Sequence, residues 1–405
     1  MLDMKINSLL SFVFVLAASA EIAIGRIYDE RLSIYGFNLS ILISVVFFIS
    51  SIFIFASFKK IIITSSKVYL LLFFASIVLI TPILWTVYGA EEYGVLKFFN
   101  FVLIAIPLTL IILEKFDVTD VKNIFILLLG LSFLLLFLAV TGLFETPRAD
   151  GRISILGGGP IIFGRWMGFG VLALFFLPLK RKILFSILFI SLFIIYCLIS
   201  GSRGPFTALI ICFLFYLFIN FKKIFLRFLL FSCALLLVFF STNFSKDISK
   251  LGRTDRVFLN VSKKGGSNQS TQTRYELLDR SFKMMYSFPI GVGAGNWQVK
   301  ANEYDSTHLM AHEYPHNLFL EIINEYGILT GILLLIFIIK ISFTAFAKMI
   351  NYNNKNNSLY PFLFFLWIFL LINSMISGSL NDSRLLFVVA SCIMISKPLT
   401  FKVNA

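Results

Sequence analysis

The sequence predicts an all-α polytopic membrane protein with about 12 transmembrane helices and one large outside loop between spans nine and ten. Three observations predict it. The 405 residues are 59% apolar and 14% charged, with a mean hydropathy of +0.91, whereas a soluble domain carries about 25% charge. The apolar residues gather into runs near the ~20 residues that one bilayer crossing needs. The cations are sorted between alternate loops, as the positive-inside rule requires.

The runs lie at residues 7–25, 37–57, 68–88, 94–113, 122–141, 161–179, 183–199, 204–220, 225–241, 318–339, 359–378 and 384–396. With the N-terminus inside, the inside segments hold seventeen Lys and Arg, among them Lys59, Lys60, Lys180, Arg181, Lys340, Lys348 and Lys397. The short outside loops hold six: Arg26, Arg31, Arg148, Arg152, Arg203 and Arg384. Both termini are therefore expected in the cytoplasm, in keeping with an even number of spans. The net charge of +14 follows from this sorting, so nucleic acid is not an expected partner. Lys5, an apolar run and Ala18-Ser19-Ala20 mimic a signal peptide; eleven further spans make it an expected uncleaved anchor. Cys197, Cys212, Cys233 and Cys392 all sit in apolar runs without ligand spacing, so no metal and no cofactor are expected.

The chain thus divides into spans one to nine (1–241), an outside loop (242–316) and spans ten to twelve (317–405). Within the loop, residues 272–288 read as an amphipathic helix. Leu278, Phe282 and Met285 form its apolar stripe, and Thr271 or Thr273 its start. Arg274 falls on that stripe and Arg280 on the opposite, wet face. Pro289–Gly295 reads as a tight turn leading back to the bilayer. No strand precedes it, as a dinucleotide-binding loop would need.

Histidine occurs three times, at His308, His312 and His316, all in this loop. Imidazole is the side chain suited to proton transfer near neutral pH. His308 and His312 have polar neighbours and are expected in water. His316 and Asn317 open span ten, and Glu321 and Asn324 follow on the Asn317 face. On the same side of the membrane lie Arg152 before span six, Arg165 one turn into it, Arg203 in the turn Ser200–Pro205, and Arg274. Arginine forks suit phosphate oxygens, and a lipid diphosphate would lie at that depth. The plainer reading of Arg203 is a helix cap, and of Arg165 an ion pair with Glu21. Arg148 and Arg384 are expected as snorkelling interfacial residues. Lys97 either neutralises a lipid phosphate or pairs internally.

His316-Asn317 followed by Gly327 resembles the hallmark of the bacterial O-antigen ligase and polymerase superfamily. So do Pro289–Gly293, Tyr314–Asn317, Leu320–Gly327, Ser200–Gly204, Thr273-Arg274 and Gly151–Ser154. The likeness spans Arg152 to Gly331. One departure is Gly331, four residues after Gly327, where the family often spaces its glycines by three. The resemblance implies a metal-independent glycosyltransferase of the bacterial inner membrane, working on the periplasmic face. Its donor would be an undecaprenyl-diphosphate-linked oligosaccharide, and a chain-length regulator protein would be a further partner. The resemblance matches Arg203 and Arg274 to arginines expected near the diphosphate, His316 to the histidine expected to act on the acceptor hydroxyl, and Arg152 to a further basic position. With the residue reading above, the expected catalytic residues are His316, Arg274 and Glu321, and the expected substrate-binding ones Arg152, Arg165, Arg203 and Asn317. The Tyr314–Asn317 run and the glycine-rich turn are more similar to polymerases than to ligases. The rival from another class is a lipid-glycan flippase, which would place ionisable groups near the midplane on a path open to both faces.

Overall fold

The computed structural model describes residues 2–24, 33–34, 37–56, 65–84, 91–116, 118–146, 152–156, 158–177, 183–220, 267–304, 313–352 and 359–395. Helices occupy eleven of the twelve expected span positions; the ninth, 225–241, lies outside the described residues, as do His308, His312, Arg148 and Cys233. By length and composition, five helices can cross a membrane: Tyr93–Lys115, Asp120–Thr141, Gly159–Phe176, Leu318–Asn351 and Tyr360–Ser377. Five shorter apolar helices accompany them. Apolar side chains on their outer faces stay bare, such as Ile183, Leu184 and Phe218, because lipid rather than protein is their natural contact.

The contacts group the chain into two units, residues 129–267 and the remainder. The larger unit begins with α1 (Leu2–Ile24) and α2 (Leu39–Ala56), joined through a two-residue antiparallel pairing, Ser33 opposite Asn38 and Ile34 opposite Phe37. Next come α3 (Ser65–Leu84), α4 (Glu91–Asn100), a π-turn at Phe101–Ala105, and α5 (Ile106–Lys115). A cluster of Phe73, Phe74, Phe101 and Phe387 rings, centroids 5.6–6.5 Å apart, binds these helices to the C-terminal one.

Arg384 departs from its expected interfacial place. It is buried, its Nη1 3.0 Å from Glu21 Oε2, and Glu21 also accepts a 2.5 Å bond from Ser44. A cation that cannot reach water at its position must find an anion; Glu21 therefore serves Arg384. Span ten is also longer than its apolar run suggests, reaching Tyr352. Lys340 and Lys348, expected in an inside loop, lie on this helix: Lys340 over the Tyr69 ring, and Lys348 donating to the carbonyls of Ile393 and Ile395. Those carbonyls lie at a helix C-terminus, which attracts cations.

The smaller unit holds the end of α6 (Val118–Thr141), then α7 (Gly159–Phe176), α8 (Ile183–Ile199) and α9 (Arg203–Ile219). Helices α7 and α8 close tightly because Gly170 lacks a Cβ, which would stand 2.7 Å from the Phe193 ring. Phe133 and Phe189 complete this seam. Residues 144–146 and 154–156 pair, the Thr146 N–H donating to Ser154 O and the Leu156 N–H to Phe144 O.

Candidate functional site

Helix α10 (Ser267–Ser287) starts four residues earlier than Thr271 and buries a different face from the one its apolar stripe indicates. Leu277, Arg280, Ser281 and Met284 are buried, while Phe282 is half-exposed and Tyr286 fully so. Arg280, expected in water, is 1% exposed and donates to the Ala301 carbonyl at 3.4 Å. The cause is Trp297, on the short helix α11 (Trp297–Ala301). Its indole donates to Ser281 Oγ at 3.1 Å, and Leu277, Met284, Val292 and Ala301 close around it. Arg274, one and a half turns before Arg280, is half-buried.

The turn after α10 does more than return the chain. Gly291, Gly293 and Gly295 all have positive φ, at 96°, 90° and 74°. This puts the Val292 and Gly293 N–H groups on the carbonyls of Asn324 and Glu325, each at 2.9 Å. In return, Ile328 N–H donates to Pro289 O at 2.9 Å. The exchange is possible because α12 (Leu318–Tyr352) breaks at Gly327, whose φ of 85° and ψ of 166° are not helical. A β-carbon at Gly327 would meet Ile290 O at 2.5 Å, and one at Gly291 would meet Gly327 N at 2.6 Å. Broken helices persist at membrane depth where protein satisfies the freed backbone groups, and here the glycine-rich turn does so. The Val292 and Gly293 N–H groups are thereby used within the protein. Gly331 lies under the Ile323 side chain across the break, so its four-residue spacing from Gly327 still admits close packing.

His316 stands just ahead of this broken helix. It is partly exposed and takes a φ of 56°, a left-handed conformation that few non-glycine residues adopt, with asparagine, aspartate and histidine the more frequent ones. Its ring lies 4.4 Å from that of Tyr314. The residues on both sides are tied to the end of α13 (Tyr360–Ser377): Tyr314 Oη donates to Ser377 O at 3.4 Å, and Asn317 Nδ2 to Met375 O at 2.8 Å. Asn317 Oδ1 also accepts from Leu320 N–H at 3.0 Å, capping the helix it begins. One turn on, Glu321 is fully buried. Its Oε1 is 2.5 Å from Lys97 Nζ, and its Oε2 accepts from Leu380 N–H at 2.9 Å. Lys97 also meets Glu325 Oε2 at 2.5 Å. Lys97 thus pairs internally. These three charges are 0–2% exposed.

In the smaller unit the expected arginines share one turn. Ser200–Ser202 links α8 to α9, with Gly201 at φ 64° and Ser200 Oγ accepting from Ser202 N–H. The Arg152 side chain lies over Gly201, 3.5 Å from where its Cβ would be. Gly164, next to Arg165, abuts Ser200, Ser202 and Pro205. Arg203 opens α9 and is exposed; Arg152 and Arg165 are half-exposed. The Arg152 side chain lies over this turn of small residues and Arg203 directly follows it in the chain; guanidinium groups suit an oxyanion.

The sequence draws attention to His316 and to the arginines near Ser200–Pro205. It does not single out the Lys97–Glu321–Glu325 cluster, although the signal exists: a lone lysine in one apolar span and two carboxylates a turn apart in another. Nor does it signal the burial of Arg280, which reaches the Ala301 carbonyl.

No curated protein matches the chain. Residues 185–336 match the family model described as O-antigen ligase; the segment contains Arg203, Arg274, His316, Asn317 and Glu321, but not Arg152 or Arg165. By that match this segment, which holds the Ser200–Arg203 turn and the His316 motif, is similar to the O-antigen ligase family.

Proposed function

We propose that the chain is a glycosyltransferase of the bacterial inner membrane that polymerises undecaprenyl-diphosphate-linked repeat units on the periplasmic face. A sugar hydroxyl of the acceptor attacks the anomeric carbon of the donor. The new glycosidic bond forms as the bond to the diphosphate oxygen breaks, and the hydroxyl proton passes to His316. Arg203, Arg152 and Arg165 meet the charge growing on the lipid diphosphate, the part a divalent cation plays elsewhere. Arg274 is a fourth cation for the same leaving group, and Asn317 holds the motif. Glu321 supports His316 from behind, since its carboxylate is already committed to Lys97 and Leu380. The observation that carries the reading is His316 itself, a half-exposed imidazole in a strained conformation braced on both sides. Local strain of this kind concentrates at functional sites.

The test uses His316→Asn together with His316→Ala, because asparagine tolerates the left-handed backbone. Both are expected to lose chain elongation by about 100-fold or more, with the protein still present in the membrane and lipid-linked single repeats accumulating. Normal glycan ladders from His316→Asn would refute the reading. The description of the matching family model favours a second one, transfer of a finished glycan to lipid A core. Under it, the same variants would accumulate long lipid-linked chains rather than single repeats.

A further inference from the structure

Helix α4 reaches the His316 motif through two contacts. Gly94 lies against Gly295, whose Cβ would be 2.8 Å from Gly94 Cα. One turn later, Lys97 inserts its ammonium between Glu321 and Glu325, 2.5 Å from an oxygen of each. Tyr93 and Tyr326 border the cluster. The remaining carboxylate oxygens reach backbone N–H groups, Leu380 for Glu321 and Gly295 for Glu325. One cation therefore joins four segments: α4, the glycine-rich turn, both ends of the α12 head, and the turn after α13. A π-turn follows directly at Phe101–Ala105, a device that recurs near functional sites.

We infer that Lys97 is a positioning residue for the transfer step, holding His316 in place through Glu321 and holding the helix break through Glu325. The inference rests on His316 being the proton acceptor proposed above. The path is short. Lys97 fixes Glu321, whose other oxygen grips Leu380. The Glu321 N–H donates to Asn317 O at 3.0 Å, and Asn317 grips Met375. His316 is thus set on two anchors, the Met375–Ser377 helix end and the Leu380 turn. Without the ammonium, two buried carboxylates one helical turn apart repel each other. The head of α12 is then driven off its anchors while the arginine turn is untouched. Loss should therefore appear in the chemical step and not in donor binding.

The experiment compares Lys97→Met, Lys97→Arg and Glu321→Gln with wild type and His316→Asn, as full-length protein purified in detergent. The donor is lipid-linked oligosaccharide extracted from a host strain lacking this protein, and rates are taken per monodisperse protein. Lys97→Met is expected to lower kcat by about 100-fold with donor KM within about threefold, the cost of a misplaced reacting group. Glu321→Gln should lower kcat by about 10-fold or more, and Lys97→Arg, which keeps the charge and can fork onto both carboxylates, should recover to within about 10-fold of wild type. Wild-type kcat in Glu321→Gln or in monodisperse Lys97→Met overturns the inference. So does a rise in KM that accounts for the whole loss. If Lys97→Met yields no monodisperse protein, the Glu321→Gln result decides by the same criterion. Full activity in His316→Asn would instead refute the proposed function, a separate outcome.

Discussion

Replacing Gly327 by alanine isolates what the helix break is worth. The residue sits at φ 85°, ψ 166°, a region essentially reserved for glycine, and forcing a side chain there costs about 1–3 kcal/mol. The methyl would also stand 2.5 Å from Ile290 O and 3.0 Å from Pro289 O. These are backbone atoms, so the turn itself must move. Moving it breaks the bonds from Val292, Gly293 and Ile328, each contributing roughly 0.5–1.5 kcal/mol. Gly327→Ala should therefore destabilise by about 3 kcal/mol or more. Gly130→Ala is the matched control: it lies within α6 with nothing within 4 Å of its Cβ position, and should stabilise by about 0.5–1 kcal/mol. The assay is the thermal midpoint of detergent-purified protein, read as the monodisperse fraction after heating. A Gly327→Ala midpoint equal to that of Gly130→Ala would refute the claim that the turn and the break are one interlocked structure.

Arg384→Met alone should cost about 3–5 kcal/mol by stranding the buried Glu21, while Glu21→Leu with Arg384→Met should fall near wild type. Additive midpoints in that cycle would mean the two groups are not paired. Ser281→Ala should cost about 1–3 kcal/mol because it leaves the Trp297 indole N–H without its acceptor, and near-ultraviolet circular dichroism should report the loosened ring; an unchanged midpoint and spectrum would count against the Trp297 core. Gly170→Ala should cost about 1–3 kcal/mol by overpacking against Phe193, with recovery when Phe193→Leu is added; no recovery would point to a different cause of the α7–α8 seam.

The parts legible in the sequence were those set by local physics. Apolar runs of bilayer length became helices at the expected positions, and the rarity of histidine singled out His316. What the sequence concealed were pairings over long separations. Glu21 and Arg384 are 363 residues apart and Lys97 and Glu325 are 228 apart, so no periodicity relates them. The face of α10 was misread for another reason. The stripe Leu278, Phe282, Met285 would face the core in a soluble helix, but here Phe282 and Tyr286 are left outside. Ser281, a polar residue, is drawn inward by the Trp297 indole. In a membrane protein apolar surface has a second home, so hydrophobicity alone does not say which face turns inward.

The break at Gly327 separates α12 mechanically into a nine-residue head and a shaft running from Ile328 to Tyr352. The shaft is what a bilayer of changing thickness would tilt, since long apolar helices meet hydrophobic mismatch by leaning. The head takes its bearings elsewhere, from the end of α13 and from the turn at Leu380. A continuous rod would pass every degree of lean on to His316. A rod jointed at one glycine confines the lean to the shaft, so that the geometry of the motif is insulated from the lipid composition around it.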